Sequence, residues 1–136
     1  MIRRRVLAID PGTRRTGIAL SDPSATLASP LETVELPLAK LVAHLETLID
    51  QHAIGVVVLG CPMLPSGDKG PVAELSEEIG RRLARRRAVE VVYWNEALTS
   101  WEAETMLSAR KKKRDKGAVD RLAATVMLQD YLDARE

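Results

Sequence analysis

Apolar residues along this chain keep two rhythms, and each rhythm predicts an element. Val6 to Ile9 is an unbroken apolar run, the mark of a strand covered on both faces, and Asp10-Pro11-Gly12 breaks it. Thr16 to Ser21 is a second short strand, close enough to pair with the first as a hairpin. Thr26 to Val34 reads as a third, weaker strand, where Pro30 predicts an edge position or a bulge because proline cannot donate to a ladder. The period then changes. Leu38, Leu41, Val42, Leu45, Leu48 and Ile49 recur at helical spacing and predict an amphipathic helix. Val56 to Leu59 returns to a buried strand, ended by Gly60-Cys61-Pro62, and Met63 to Gly70 is a loop built on turn chemistry. Val72, Leu75, Ile79 and Leu83 mark a second helix, and Val89 to Trp94 a fifth strand. Thr99 and Glu102 have capping-box spacing and open a third helix through about Ala109; a last helix runs from about Asp120 to Leu132.

The predicted order is β-β-β-α-β-α-β-α-α. Three leading strands suit a meander, and the later alternation demands parallel strands with right-handed crossovers. One mixed five-stranded sheet flanked by helices satisfies both. This is an α/β architecture with the strand order of the ribonuclease H-like fold, which by itself fixes no function.

Composition narrows the picture without naming a partner. The 136 residues make one domain, expected to span 1–136 without repeats or low-complexity linkers. With 46% apolar and 29% charged residues the chain is globular, and with no Phe its core must be filled by Leu, Val, Ile and Ala. Twenty basic residues nearly balance nineteen acidic ones, so total charge points to no ligand. A single cysteine, Cys61, rules out an internal disulfide framework and suits a reducing cytosol. The basic start, "MIRRRVLAID", has too short an apolar run for a signal peptide, and no stretch approaches membrane-spanning length. A cytoplasmic protein without membrane contact is expected.

Three carboxylates stand out by position. Asp10 ends the most apolar strand, where a carboxylate is costly unless paired or bound to a cation; the plainer role is an Asx-turn at Pro-Gly. Glu96 follows the fifth strand, at the carboxyl edge where open α/β sheets place their sites, and is otherwise a solvated loop acid. Asp120 opens the last helix, where an ordinary N-cap is the competing role. Together they offer oxygen ligands from separate elements, the donor set Mg²⁺ or Mn²⁺ prefers when substrate phosphate completes it. Such ions activate water and stabilise the leaving oxygen of a phosphodiester.

Basic residues are unevenly placed. "RKKKRDK" puts six in seven positions, Arg110, Lys111, Lys112, Lys113, Arg114 and Lys116, just before Asp120. Arg14 and Arg15 sit in the turn after Asp10. Nucleic-acid backbone is the natural anion for both groups. Arg81 to Arg87 adds five arginines at the end of the second helix, where a solvated face with cations near a helix C-terminus competes with that role. Cys61 has no histidine near it in sequence and reads as a small buried side chain; His44 and His52 read as surface or satisfied positions. Trp94 and Trp101 flank the acids and suit core packing better than base stacking.

Four blocks carry a family resemblance: "AIDPGTRRTGIALSD", "VVVLGCPMLPSGDKGPVAEL", "WNEALTSWEAE" and "KGAVDRLAATVMLQDYL". In order and spacing the chain resembles the YqgF/RuvX family of small bacterial ribonuclease H-like nucleases over almost its whole length. The resemblance implies metal-binding, catalytic roles for Asp10, Glu96 and Asp120. It implies hydrolysis of phosphodiester bonds in structured or single-stranded RNA, in maturation of the 5′ end of 16S ribosomal RNA. Resolution of four-way DNA junctions, proposed for the family by analogy with RuvC, is the alternative, and a non-catalytic RNA- or ribosome-binding module is a further one. The family block Asp-Glu-Arg-Leu-Thr-Ser reads Asn95-Glu96-Ala97-Leu98-Thr99-Ser100 here, so an acid and an arginine beside Glu96 are gone. The Asp-x-Gly-Thr turn is also similar to that of sugar kinases and actin-like ATPases, which need two lobes where 136 residues supply one. Every apolar stripe is needed to cover one small sheet, so a monomer is expected ahead of a homodimer.

Overall fold

A computed structural model describes residues 4–63, 66–95 and 116–135. Its strands are β1 (Arg5–Pro11), β2 (Thr16–Ser21), β3 (Ala28–Val34), β4 (Ile54–Gly60) and β5 (Glu90–Trp94). They form one sheet in the order β3-β2-β1-β4-β5. β1 pairs antiparallel with β2, β2 antiparallel with β3, and β1-β4 and β4-β5 are parallel. The helices among the described residues are α1 (Leu38–His52), α2 (Pro71–Arg86) and α3 (Lys116–Ala134). The mixed five-stranded sheet is therefore the expected one. The helix expected over 99–109 lies outside the described residues.

Alternation along the strands sorts the core into two layers. Leu7, Ile9, Ile18, Leu20, Val57 and Leu59 face α1 and α2, packing with Leu41, Leu45, Ile49, Ile79 and Leu83. Val6, Ala8, Ala19, Val56 and Val58 face α3, packing with Ala124, Met127, Leu128 and Leu132. Trp94 meets Tyr131 edge-on, with ring centroids 5.9 Å apart, at the β5 end of the α3 layer. Core packing is thus the role of Trp94, as expected.

Two strand details bear on the site. β3 is an edge strand, and the ladder shifts between Ile18↔Glu32 and Ala19↔Pro30, so Pro30 sits at both an edge and a bulge. β1 does not break at Asp10. Asp10 pairs with Gly17 and Pro11 with Thr16. β4 accompanies β1 only as far as Ile9, and a proline is tolerated where a strand has lost one neighbour.

α3 begins at Lys116, four residues before the expected start. Gly117 weakens the local helix signal by about 1 kcal/mol relative to alanine, and packing on β2 and β3 overrides it. Asp120 therefore lies in the second turn of α3, and its N-cap role falls away.

Candidate functional site

Asp10 continues a series. Val6 and Ala8 point to the α3 layer, and period two puts Asp10 on the same face. Its cross-strand partner is Gly17, just as Ala8 is opposite Ala19. On α3, Ala124 and Leu128 form the stripe that meets the sheet, and one turn earlier on that stripe stands Asp120. A β-carbon on Gly17 would lie 2.1 Å from the Asp120 carbonyl oxygen and 3.0 Å from its Cβ. Only glycine lets α3 come down here. Facing β-carbons on paired strands are roughly 5 Å apart, so the β-carbons of Asp10 and Asp120 are within about 8 Å of each other.

Arg15 closes the group. Its Nε donates to Asp120 Oδ2 at 2.9 Å, with side chains only 29% and 26% exposed. Arg14 points outward, where its Nε donates to Glu35 Oε2 at 3.1 Å across two exposed side chains. Asp120 and its partner Arg15 thus stand beside the cross-strand position of Asp10, at the carboxyl end of β1. Glu96, Arg110, Lys111, Lys112, Lys113 and Arg114 lie outside the described residues, and Lys116 opens α3 with its side chain outside them. Among the described residues no three acid, histidine or cysteine side chains form a metal-holding group. Two carboxylates that supply hard oxygen donors nonetheless fit Mg²⁺ or Mn²⁺, which keep waters and take further oxygens from substrate phosphate.

The remaining candidates have structural partners. Arg81 and Arg82 both donate to Glu78, Arg86 pairs with Glu46 at 3.0 Å, and Arg87 grips Asp50. These pairs within α2 and between α2 and α1 account for most of the arginine run as a solvated, ion-paired face. His44 is paired with Glu32, and Cys61 is a small buried side chain. In the loop after β4, Met63 bridges Lys69. Lys69 Nζ lies 2.7 Å from Glu77, whose hydrogen bond holds the ammonium above its usual range.

Sequence reasoning missed the seat at Gly17 and the bond from Arg15 to Asp120. A signal existed for the first. A glycine inside an otherwise apolar strand marks a close approach of another backbone, and "TGIAL" contains one.

Comparison with known proteins gives concordant answers. A family model described as "RuvX: Holliday junction resolvase" matches residues 4–134. A Chloroflexus aurantiacus protein named "Putative pre-16S rRNA nuclease" is 38% identical over 133 residues, covering 96% of this chain and 87% of the relative. A protein of the same name from Lactococcus lactis is 39% identical over 136 residues, covering 96% and 94%. Among solved structures, T. thermophilus RuvC in complex with a Holliday junction substrate superposes with a TM-score of 0.64 at 15% identity, over 98% of this chain and 96% of that one. The yeast mitochondrial Holliday junction resolvase Ydc2 gives 0.57 at 11% identity, over 95% and 78%. At such identities the structures speak for the fold, which is ribonuclease H-like. The sequence matches run nearly end to end, and by them the chain belongs to the RuvX family of nucleases.

Proposed function

We propose that Asp10 and Asp120, together with Glu96, hold Mg²⁺ or Mn²⁺, and that the protein hydrolyses phosphodiester bonds of structured or single-stranded RNA in processing the 5′ end of pre-16S ribosomal RNA. The observation that carries this reading is the seating of Asp120 over Gly17, directly beside the cross-strand position of Asp10. A divalent ion bound there supplies Lewis acidity that lowers the pKa of a water and stabilises the leaving oxygen. The chain's own part is to hold the carboxylates on rigid elements. β1 holds Asp10 within a two-strand register, and α3 holds Asp120 by the packing of Ala124 and Leu128. Arg14, exposed in the β1–β2 turn, offers a guanidinium to incoming phosphate, and the basic segment 110–116 lies next in sequence to Asp120.

RNA is favoured over a DNA junction on geometry. Cutting two strands of a junction symmetrically requires two sites related by a two-fold axis. Among the described residues the exposed large apolar side chains are Leu27, Leu36, Met63 and Tyr93, spread over different elements. They form no broad apolar stripe of the kind an obligate dimer buries. The relatives' name points the same way, and the family description keeps the junction as the second reading.

One experiment separates these. The purified protein is incubated with Mg²⁺ or Mn²⁺ and a panel of precursor-like RNA, single-stranded RNA and a four-way DNA junction, beside Asp10→Asn, with the oligomeric state measured in parallel. Cleavage of RNA that needs the metal and falls by about 10³-fold or more in Asp10→Asn is expected, since a metal site supplies several kcal/mol of transition-state stabilisation. Undiminished cleavage by Asp10→Asn overturns the site. A stable dimer making paired nicks in the junction and sparing RNA overturns the substrate, and metal-independent binding without cleavage returns the binding-module alternative.

A further inference from the structure

We infer that Arg15 is a positioning residue that ties Asp120 to the substrate phosphate, one guanidinium serving both at once. The inference rests on the proposed metal role of Asp120. Among the described residues Arg15 contacts Asp120 through Nε alone. A guanidinium is a rigid planar fork with five donors, so fixing Nε fixes where the two Nη groups aim. Held on Oδ2, the Asp120 carboxylate keeps one rotamer and leaves Oδ1 to a metal. Carboxylate ligands are routinely oriented by such partner hydrogen bonds.

The turn that carries Arg15 is built for this placement. Gly12 meets the Arg15 carbonyl so closely that a β-carbon would sit 2.7 Å from it. Residues 12–15 are therefore folded tightly, with little room for Arg15 to drift. The same turn begins two residues after Asp10, so the Arg15–Asp120 pair stands at the end of β1 that carries Asp10. Arg14, the neighbour in sequence, pairs with Glu35 on an exposed surface, so it can meet phosphate but is not the arginine bonded to Asp120. The bond from Arg15 also spans 105 positions of sequence, from the first hairpin to the last helix. It pins α3 to the turn where Asp120 stands.

Arg15→Lys tests the inference because it keeps the charge and removes the fork. An ammonium can pair with Asp120 or with a phosphate, but it cannot fix both in one geometry. Two affinities are measured on the full chain: Mn²⁺ alone, from the free-ion electron paramagnetic resonance signal, and a fluorescein-labelled hairpin RNA in EDTA, by anisotropy. Thermal unfolding confirms that the variant is folded. The expected result is Mn²⁺ binding weakened by about tenfold together with RNA binding weakened several-fold. Loss of one affinity without the other overturns the shared role, as does no change or a gain in either. Asp10→Asn runs alongside. If it keeps the Mn²⁺ affinity of the unaltered protein, the metal reading itself fails and the inference fails with it. If it loses Mn²⁺ while Arg15→Lys does not, only the inference fails.

Discussion

The two faces of the sheet are built from different materials. Toward α1 and α2 the strands present Leu7, Ile9, Ile18, Leu20 and Leu59, large side chains that hold two helices at a distance. Toward α3 they present small residues around the site, Ala8, Ala19 and Gly17 with Ala124 answering from the helix, beside Val6, Val56 and Val58, which pack on Met127, Leu128 and Leu132. Each fully buried Leu or Ile contributes about 1.5–3 kcal/mol, and an alanine much less. The first face therefore buries the larger apolar side chains. The second gives up apolar area for proximity: small residues let a helix backbone touch a strand, and that contact sets Asp120 beside Asp10. One side of the sheet serves to hold the fold together and the other to hold two carboxylates in register.

The contrast is broken most severely by filling the seat and emptying the core in parallel. Gly17→Val places a side chain where Asp120 already stands, so α3 must move. Overpacking of this kind costs about 1–3 kcal/mol, and a displacement of about 1 Å at a reacting centre can cost 10²-fold in rate. Cleavage is expected to fall by about 10²-fold or more, with a modest loss in urea stability. Leu45→Ala does the reverse. It should remove about 2–5 kcal/mol of stability and leave cleavage near normal at temperatures where the protein stays folded. Equal activity losses in the two variants would show that the faces are not separable in this way.

Ion pairs on the α1/α2 side sharpen the comparison further. Arg87 and Asp50 meet with Asp50 largely exposed, and such pairs contribute about 0–1 kcal/mol. Arg86 differs, because its partner Glu46 has a side chain only 10% exposed. Glu46 Oε2 is buried with no well-aligned hydrogen bond, so the Arg86 charge is its main compensation. Arg86→Ala leaves that oxygen stranded, at a cost of about 1–3 kcal/mol. Denaturant titration should rank Arg86→Ala above Arg87→Ala, with neither altering cleavage. A drop in RNA affinity for either variant would give the α2 arginines the nucleic-acid role that their pairing argues against.

How much of this was legible in the chain depends on the kind of contact involved. The strands around Val6–Ile9, Thr16–Ser21 and Val56–Leu59, and the helix from Leu38, follow from periodicity, because each encodes its own burial. The edge and bulge at Pro30 follow from a missing donor. The start of α3 does not, because Gly117 argues locally against a helix that β2 and β3 stabilise from a distance. Asp10 looked like a strand breaker because its turn chemistry is local, while its register with Gly17 depends on the partner strand. Arg15 illustrates the limit best. Its sequence neighbours say only that it is basic, and its actual partner is a carboxylate 105 positions away.

The smallest effect expected is at the turn that clasps the middle of α3. Asp22 Oδ1 accepts from the Thr26 and Leu27 backbone N–H groups, and its Oδ2 from the Ser24 and Thr26 hydroxyls. These bonds, led by that from Leu27, hold its carboxyl well below the usual carboxylate range. They also stabilise Ala25 in a left-handed conformation, φ 57°. The ordered turn then presents Thr26 O and Ala28 N–H to the Gln129 amide of α3. A carboxyl whose pKa is lowered by folding stabilises the fold above the unfolded-chain value, and that contribution is lost as pH falls through the folded value. The melting temperature should therefore drop as pH falls below the ordinary aspartate range, and part of that drop belongs to Asp22. Asp22→Asn keeps an oxygen for the two backbone donors and removes the titration. Its melting temperature should be slightly lower at neutral pH and should fall less steeply in acid. An identical acid slope in the variant would mean that the clasp holds α3 without help from the Asp22 charge.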